Sequence, residues 1–160
     1  MTQDAAPQQP STDMLRLLVM DDQDLAVVSA HLQDARVRLT DMAYLPSQRR
    51  FALVAARLDW LCEDHQRCSS GLHFDFVKSV ASTGIDRTQP ERDPKAHVLL
   101  TSIFFTPTDA PAGIVTLTFA DGAAIRLDVE CLEAQMRDLG DRWSEDAPET
   151  PTLEFSPESR

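Results

Sequence analysis

Basic clusters, glycine-rich loops and long apolar runs are all scarce in this chain. Glycine occurs five times in 160 residues, and no Gly-rich phosphate loop, G-x-S-x-G elbow, H-E-x-x-H pair or dinucleotide fingerprint is present, which disfavours the enzyme classes that carry local signatures. No unbroken apolar run approaches the roughly eighteen residues that suggest a membrane-spanning helix. The cysteines are few and odd in number, Cys62, Cys68 and Cys131. Residues 1–13 lack both a basic n-region and an apolar h-region, so no secretory signal is read there and the cytoplasm is the expected compartment. The thiols are then expected to be reduced rather than a disulfide framework. Fifteen Lys and Arg stand against 26 Asp and Glu, a net charge of −11. With no dense basic stripe beyond pairs such as Arg49–Arg50, nucleic acid and anionic membrane are both disfavoured as partners.

Much of the negative charge lies at the ends. Residues 141–160 hold six acids and two arginines and residues 1–13 two acids, which leaves the segment between them at only −5. The expected organisation is a disordered N-terminal tail (1–13), a single α+β domain (14–140) and an acidic, Pro-rich, disordered tail (141–160). A chain of this length buries about two-thirds of its unfolded surface on folding and needs no metal or disulfide for stability.

Within the domain, Leu15 to Met20 reads as a strand and Asp22 as the N-cap of a helix reaching about Asp34, with Leu25, Val28 and Leu32 as its buried stripe. From Arg36 the period becomes two. Val37, Leu39, Ala43 and Leu45 are expected on one face, and Arg36, Arg38, Thr40, Met42 and Tyr44 on the other. Pro46-Ser47-Gln48 turns the chain into a second strand from Phe51 to Ala56. Leu61–Ser70 reads as a loop, Leu72 to about Ser82 as a third strand, and Thr83–Ala96 as a mobile surface connection. His97–Phe105 is apolar on both faces at its centre and is expected in the middle of the sheet, covered on both sides. Asp121–Gly122 marks a hairpin, because both residues tolerate positive φ, and Ile125, Leu127, Val129 and Cys131 form the inward row of the returning strand. Leu132, Met136 and Leu139 recur at three to four, which suggests a short C-terminal helix stopped by Gly140. Together these describe a mainly antiparallel sheet or a partly closed barrel, a pleckstrin-homology-like barrel being one version, with an N-terminal and a short C-terminal helix.

The runs DLAVVSAHLQDA (24–35), RRFALV (49–54), LHFDFV (72–77), TGIDR (83–87) and APAGIVTLTFADGAAIRLDVECLEAQMRDLG (110–140), with Trp143 beyond, resemble domain-of-unknown-function family 2948. The resemblance implies a short cytoplasmic protein of the alphaproteobacterial type and carries no activity, cofactor or catalytic residue. It departs between Cys62 and Ser70, where relatives are Arg-rich, so a site built there would be private to this chain.

Each candidate site has a bland reading beside its chemical one. Cys62, His65, Cys68 and His73 offer four ligands suited to zinc, at a spacing that matches no established zinc motif; the alternative is a loop with incidental thiols. His73 and Asp75 share a strand face and could act as a general base with an oriented tautomer, or form a polar surface pair. Arg49 and Arg50, with Asp86 and Arg87, could contact an anion or a protein partner, or fix a strand start and a turn. Cys131 fits an inert core thiol, His31 a helix C-terminus that gains from protonation, and Trp143 an anchor for the tail or an exposed patch. No cofactor is expected unless zinc binds. The overall expectation is a non-enzymatic accessory or protein-interaction domain. The alternative is an enzyme or small-ligand binder of unassigned class with a pocket between sheet and helix.

Overall fold

The strand-forming runs pair into one antiparallel sheet of nine strands in the computed structural model, which describes residues 14–59 and 66–144. In chain order the strands are β1 (Arg16–Val19), β2 (Ala35–Leu45), β3 (Arg50–Leu58), β4 (Gln66–Phe74), β5 (Val77–Thr83), β6 (His97–Pro107), β7 (Gly113–Phe119), β8 (Ala124–Val129) and β9 (Ala134–Ser144). Helix α1 (Asp22–His31) follows β1, and a single helical turn, α2 (Gln89–Arg92), precedes β6. Across the sheet the order is β1-β9-β4-β3-β2-β6-β7-β8-β5, an open sequence with β1 and β5 at its ends.

Helix α1 starts one residue earlier than expected. Asp21, not Asp22, is the N-cap: it is extended and its Oδ1 accepts from the Asp24 amide at 2.8 Å. Asp24 Oδ2 accepts in turn from the Met20 amide at 2.9 Å, so one free donor of the first turn and the amide just before the cap are both satisfied. Leu25, Val28 and Leu32 are buried as the stripe predicts. The helix packs against β6 and β1, and Ser29 Oγ accepts from the Ile103 amide at 2.9 Å.

The β2–β3 hairpin forms with Tyr44 opposite Phe51 and Arg49 in the left-handed region of its turn, φ 54°. Between Val37 and Met42 the register shifts by an odd number of residues, which reverses the facing of the second half of β2. Met42 and Tyr44 therefore pack on the core while Ala43 and Leu45 are exposed, the opposite of the assignment by simple alternation. The Tyr44 hydroxyl lies 3.2 and 3.0 Å from the Val77 and Lys78 carbonyls.

Three further expectations are corrected. The third strand is two: β4 begins at Gln66, inside the expected loop, and the chain turns at Asp75–Phe76, where Phe76 has φ 59°, to send β5 to the far end of the sheet. Strand β6 lies beside the centre but is not covered on both sides. Leu100 and Ile103 are buried against the core, whereas Phe104 is 48% exposed, because no layer lies over the outer face there. The segment after the last hairpin is β9 rather than a helix. Leu132, Ala134 and Met136 face inward by alternation, and β9 pairs with both β1 and β4, contacts that outweigh a weak helical period. Among the described residues no helix follows the last hairpin. Strand β9 also runs through Gly140 to Ser144, past the expected domain boundary, with Trp143 opposite Arg67.

The β7–β8 hairpin turns at Asp121 and Gly122, both at positive φ, 70° and 81°. Its inward row of Ile125, Leu127 and Val129 is buried, but Cys131 lies beyond the strand end and is half-buried. The core gathers Leu25 and Val28 of α1 with Phe74, Leu100, Leu117, Leu127 and Met136 of the sheet. Each such side chain contributes about 1.5–3 kcal/mol by burial. Leu127→Ala is expected to cost about 2–5 kcal/mol in urea unfolding, while Leu18→Ala at an exposed position changes stability by less than about 0.5 kcal/mol. Phe51→Asp, which places a charge where only 3% of the side chain reaches solvent, abolishes cooperative folding.

Candidate functional site

Among the described residues, the buried polar and charged side chains, Arg57, Asp59, Arg67, Ser70 and Asp138, all belong to the β3–β4–β9 part of the sheet or its flank. Phe51, Leu53 and Ala55 point inward along β3, and the next inward position is Arg57, 1% exposed. On β9 the inward row ends in Asp138, and on β4 the residue opposite Asp138 is Ser70. Arg57 donates from Nε and Nη2 to the two carboxylate oxygens at 2.9 and 2.8 Å. Ser70 Oγ donates to Asp138 Oδ1 at 2.6 Å, and the Leu15 amide donates to Oδ2 at 2.8 Å. Beside this pair, Arg142 Nε donates to Asp59 Oδ2 at 2.6 Å, and Arg67 donates to the Ala56 carbonyl at 2.8 Å.

Burial alone would raise the carboxyl pKa of Asp138. Its hydrogen bonds from Arg57, the Leu15 amide and Ser70 outweigh that and hold it at about 2. Arg57 is likewise disfavoured by burial, and the Asp138 carboxylate reverses the effect and raises its pKa. Cys68, fully buried, has its thiol pushed up by burial and by Asp138, so it stays protonated and unreactive. His31, at the C-terminal end of α1, has its pKa lowered, first by burial and then by Arg57. Protonation of His31, expected to be favoured at a helix terminus, is thus opposed here by burial and by the Arg57 charge. The network is buried and its members satisfy one another, with Asp138 bonded to Arg57, Ser70 and the Leu15 amide, so it ties β3, β4, β9 and the residue before β1 together.

The residues singled out from sequence are scattered. Cys62 and His65 lie outside the described residues. Cys68 and His73, five apart on β4, stand on opposite faces: Cys68 beside Asp138, His73 beside Asp75. An ion reaching both would have to sit across the sheet, and among the described residues no three His, Cys, Asp or Glu side chains converge to hold a metal. His73 Nε2 lies 3.7 Å from Asp75 Oδ2, beyond hydrogen-bond length, and burial together with Arg50 lowers the His73 pKa. Asp75 is already engaged, accepting from Arg50 Nε at 2.8 Å. Arg49 pairs with Glu130. Asp86 accepts from the Thr88 amide, the Thr88 hydroxyl and Arg92, which hold its carboxyl at about 2, and Arg87 is exposed in the adjoining turn. The four residues therefore form two separate groups rather than one site.

Sequence reading passed over the outer face of β1, β9, β4 and β3. Register places Arg16, Arg137, Gly71 and Val54 in one row across it, and Leu18, Gln135, His73 and Ala52 in the next. Leu18 is 66% exposed and Leu139, on the same face of β9, 46%. A cleft of about 440 Å³ lies elsewhere, at the N-terminal end of α1, where Asp21 and Asp22 face Phe105, Cys131 and Glu133.

The sequence matches the family described as "Protein of unknown function (DUF2948)" over residues 15–152. No curated protein and no solved structure matches the chain. Among the described residues no helix is long and apolar enough to cross a membrane.

Removing one member of the buried pair strands the other charge. Asp138→Ala or Arg57→Ala is expected to cost about 3–5 kcal/mol, whereas the double variant Arg57→Met/Asp138→Leu recovers most of the loss, as denaturant titration will report. Because the Asp138 pKa is depressed on folding, from 3.8 to about 2, its contribution is complete above pH 4 and is lost as pH falls toward 2. The wild type minus Asp138→Asn stability difference should shrink over that window by on the order of 2 kcal/mol.

Proposed function

The chain belongs to the DUF2948 family, whose description assigns no activity, and we propose that it is a non-enzymatic cytoplasmic protein-interaction domain that works through the outer face of β1, β9, β4 and β3. The observation that carries this reading is the pairing of exposed Leu18 and Leu139 with exposed arginines on a sheet face that no described element covers. Leu18 and Leu139 stand on either side of the Arg16–Arg137 row, so this face offers basic and apolar side chains side by side. The buried polar groups support it from the other side. Asp138, Ser70 and Arg57 satisfy one another in the interior, and none of the three lines the cleft at the N-terminal end of α1.

A second reading, a small-ligand binder, is favoured by the cleft between α1 and the sheet, whose lining includes the half-buried thiol of Cys131. Its other titratable lining residues, Asp21, Asp22 and Glu133, include no histidine or other base suited to activate the thiol, so the reading stops at binding.

The test compares partner capture by wild type and by Leu18→Ser/Leu139→Ser in lysate of the native host. A protein recovered at near-stoichiometric yield with the wild type and lost with the folded double variant is expected. Recovery of the chain alone, or of the same partner by both, overturns the proposal.

A further inference from the structure

We infer that the outer face takes an acidic protein segment bearing apolar side chains, with its carboxylates held by Arg16 and Arg137. This rests on the interaction reading above and adds the chemistry of the partner. Arg16 and Arg137 are directly opposite each other in the β1–β9 register, and both are exposed. Like charges at directly opposed positions destabilise a strand pair. Neither makes an ion pair with a described residue, whereas Arg49, Arg50, Arg57, Arg92 and Arg142 each have a carboxylate partner. Folding alone leaves this juxtaposition unexplained. Each of the two guanidinium groups, brought to cross-strand spacing by the register, carries a fork of donors that suits a carboxylate.

The neighbours set the rest of the specificity. Leu139 lies over Gly71, where an added Cβ would come within 3.3 Å of its Cδ1, and Leu18 stands in the next row, on the edge strand β1. The arginine pair is thus flanked by apolar side chains, a setting for a segment that alternates acidic and apolar residues. Arg50, on the same face, is already paired with Asp75, whereas Arg16 and Arg137 have no described carboxylate partner. The chain as a whole carries −11, so the face is a local basic spot on an acidic molecule. An extended polyanion or an anionic membrane meets the repelling remainder, while a short segment meets only charges within a Debye length of about 8 Å.

The experiment is fluorescence anisotropy of the full chain with a labelled peptide that alternates glutamate with leucine. The expected result is binding that weakens with added salt and drops about tenfold or more in Arg16→Glu/Arg137→Glu. Arg126→Glu, an equal charge change per site on exposed β8, should leave it unchanged, as should addition of inorganic phosphate at the peptide's concentration. Arg16→Gln and Arg137→Gln singly give the same direction if the double variant fails to fold. The inference is overturned if the wild type ignores the peptide, if Arg126→Glu weakens binding equally, or if a lysine-for-glutamate peptide binds as well. Anionic vesicles binding in place of the peptide, or self-association that the double variant abolishes, would also overturn it by assigning the face another occupant. A lysate partner lost with Leu18→Ser/Leu139→Ser but kept by Arg16→Glu/Arg137→Glu would sink this inference while leaving the interaction reading intact.

Discussion

The Arg57–Asp138 pair is the constraint around which half of the sheet is arranged. Its members lie 81 residues apart in the chain, and their contacts join four strands or their flanks: Arg57 on β3, Ser70 on β4, Asp138 on β9 and the Leu15 amide beside β1. A buried guanidinium can be tolerated only where a carboxylate meets it with good geometry. The register that brings Ser70 opposite Asp138 is therefore the one in which the pair closes, and a slip of one residue would turn Asp138 out and leave Arg57 uncompensated. The apolar core supplies most of the stabilisation, but apolar rows can slide past one another more cheaply than a bidentate ion pair can. Register specificity is thus the role these side chains perform best.

That arrangement also explains which parts of the fold were legible in the sequence. The stripe Leu25–Val28–Leu32, the turn at Pro46 and the Asp121–Gly122 hairpin are local signals, and each formed near its expected position. Strand β9 was misread because Asp138 occupies an inward position and interrupts the apolar alternation. With that residue taken as surface, Leu132, Met136 and Leu139 were left to suggest a helical period. The facing of Met42 and Tyr44 was lost for a related reason: a bulge has no compositional signature, and it reverses every side chain beyond it.

The candidate sites were less legible, because chemistry-bearing residues were sought as sequence neighbours. His73 with Asp75, and Asp86 with Thr88 and Arg92, do meet locally. Arg57, Ser70, Asp59, Asp138 and Arg142 meet only through pairing of distant strands. One signal was available: Arg57 continues the period-two row Phe51-Leu53-Ala55, so a charge at an inward position could have been suspected before any partner was known. For Arg16 and Arg137 no such signal exists, since neither is unusual until β1 is laid against β9.

The two arginine arrangements differ in a way that separates stability from recognition. Arg57 is fully buried and its charge is cancelled within hydrogen-bond distance, so its field is neutralised before it reaches solvent. Arg16 and Arg137 are exposed, repel one another and have no described counter-ion, so their field is spent outward. Placing like charges opposite each other costs part of a kcal/mol that folding has no reason to accept. Water screens the repulsion in the free protein, and a carboxylate arriving between the two forks would remove it. The same side chains that slightly weaken β1–β9 pairing when free would strengthen it when occupied, which couples the order of the N-terminal edge strand to occupancy of the face.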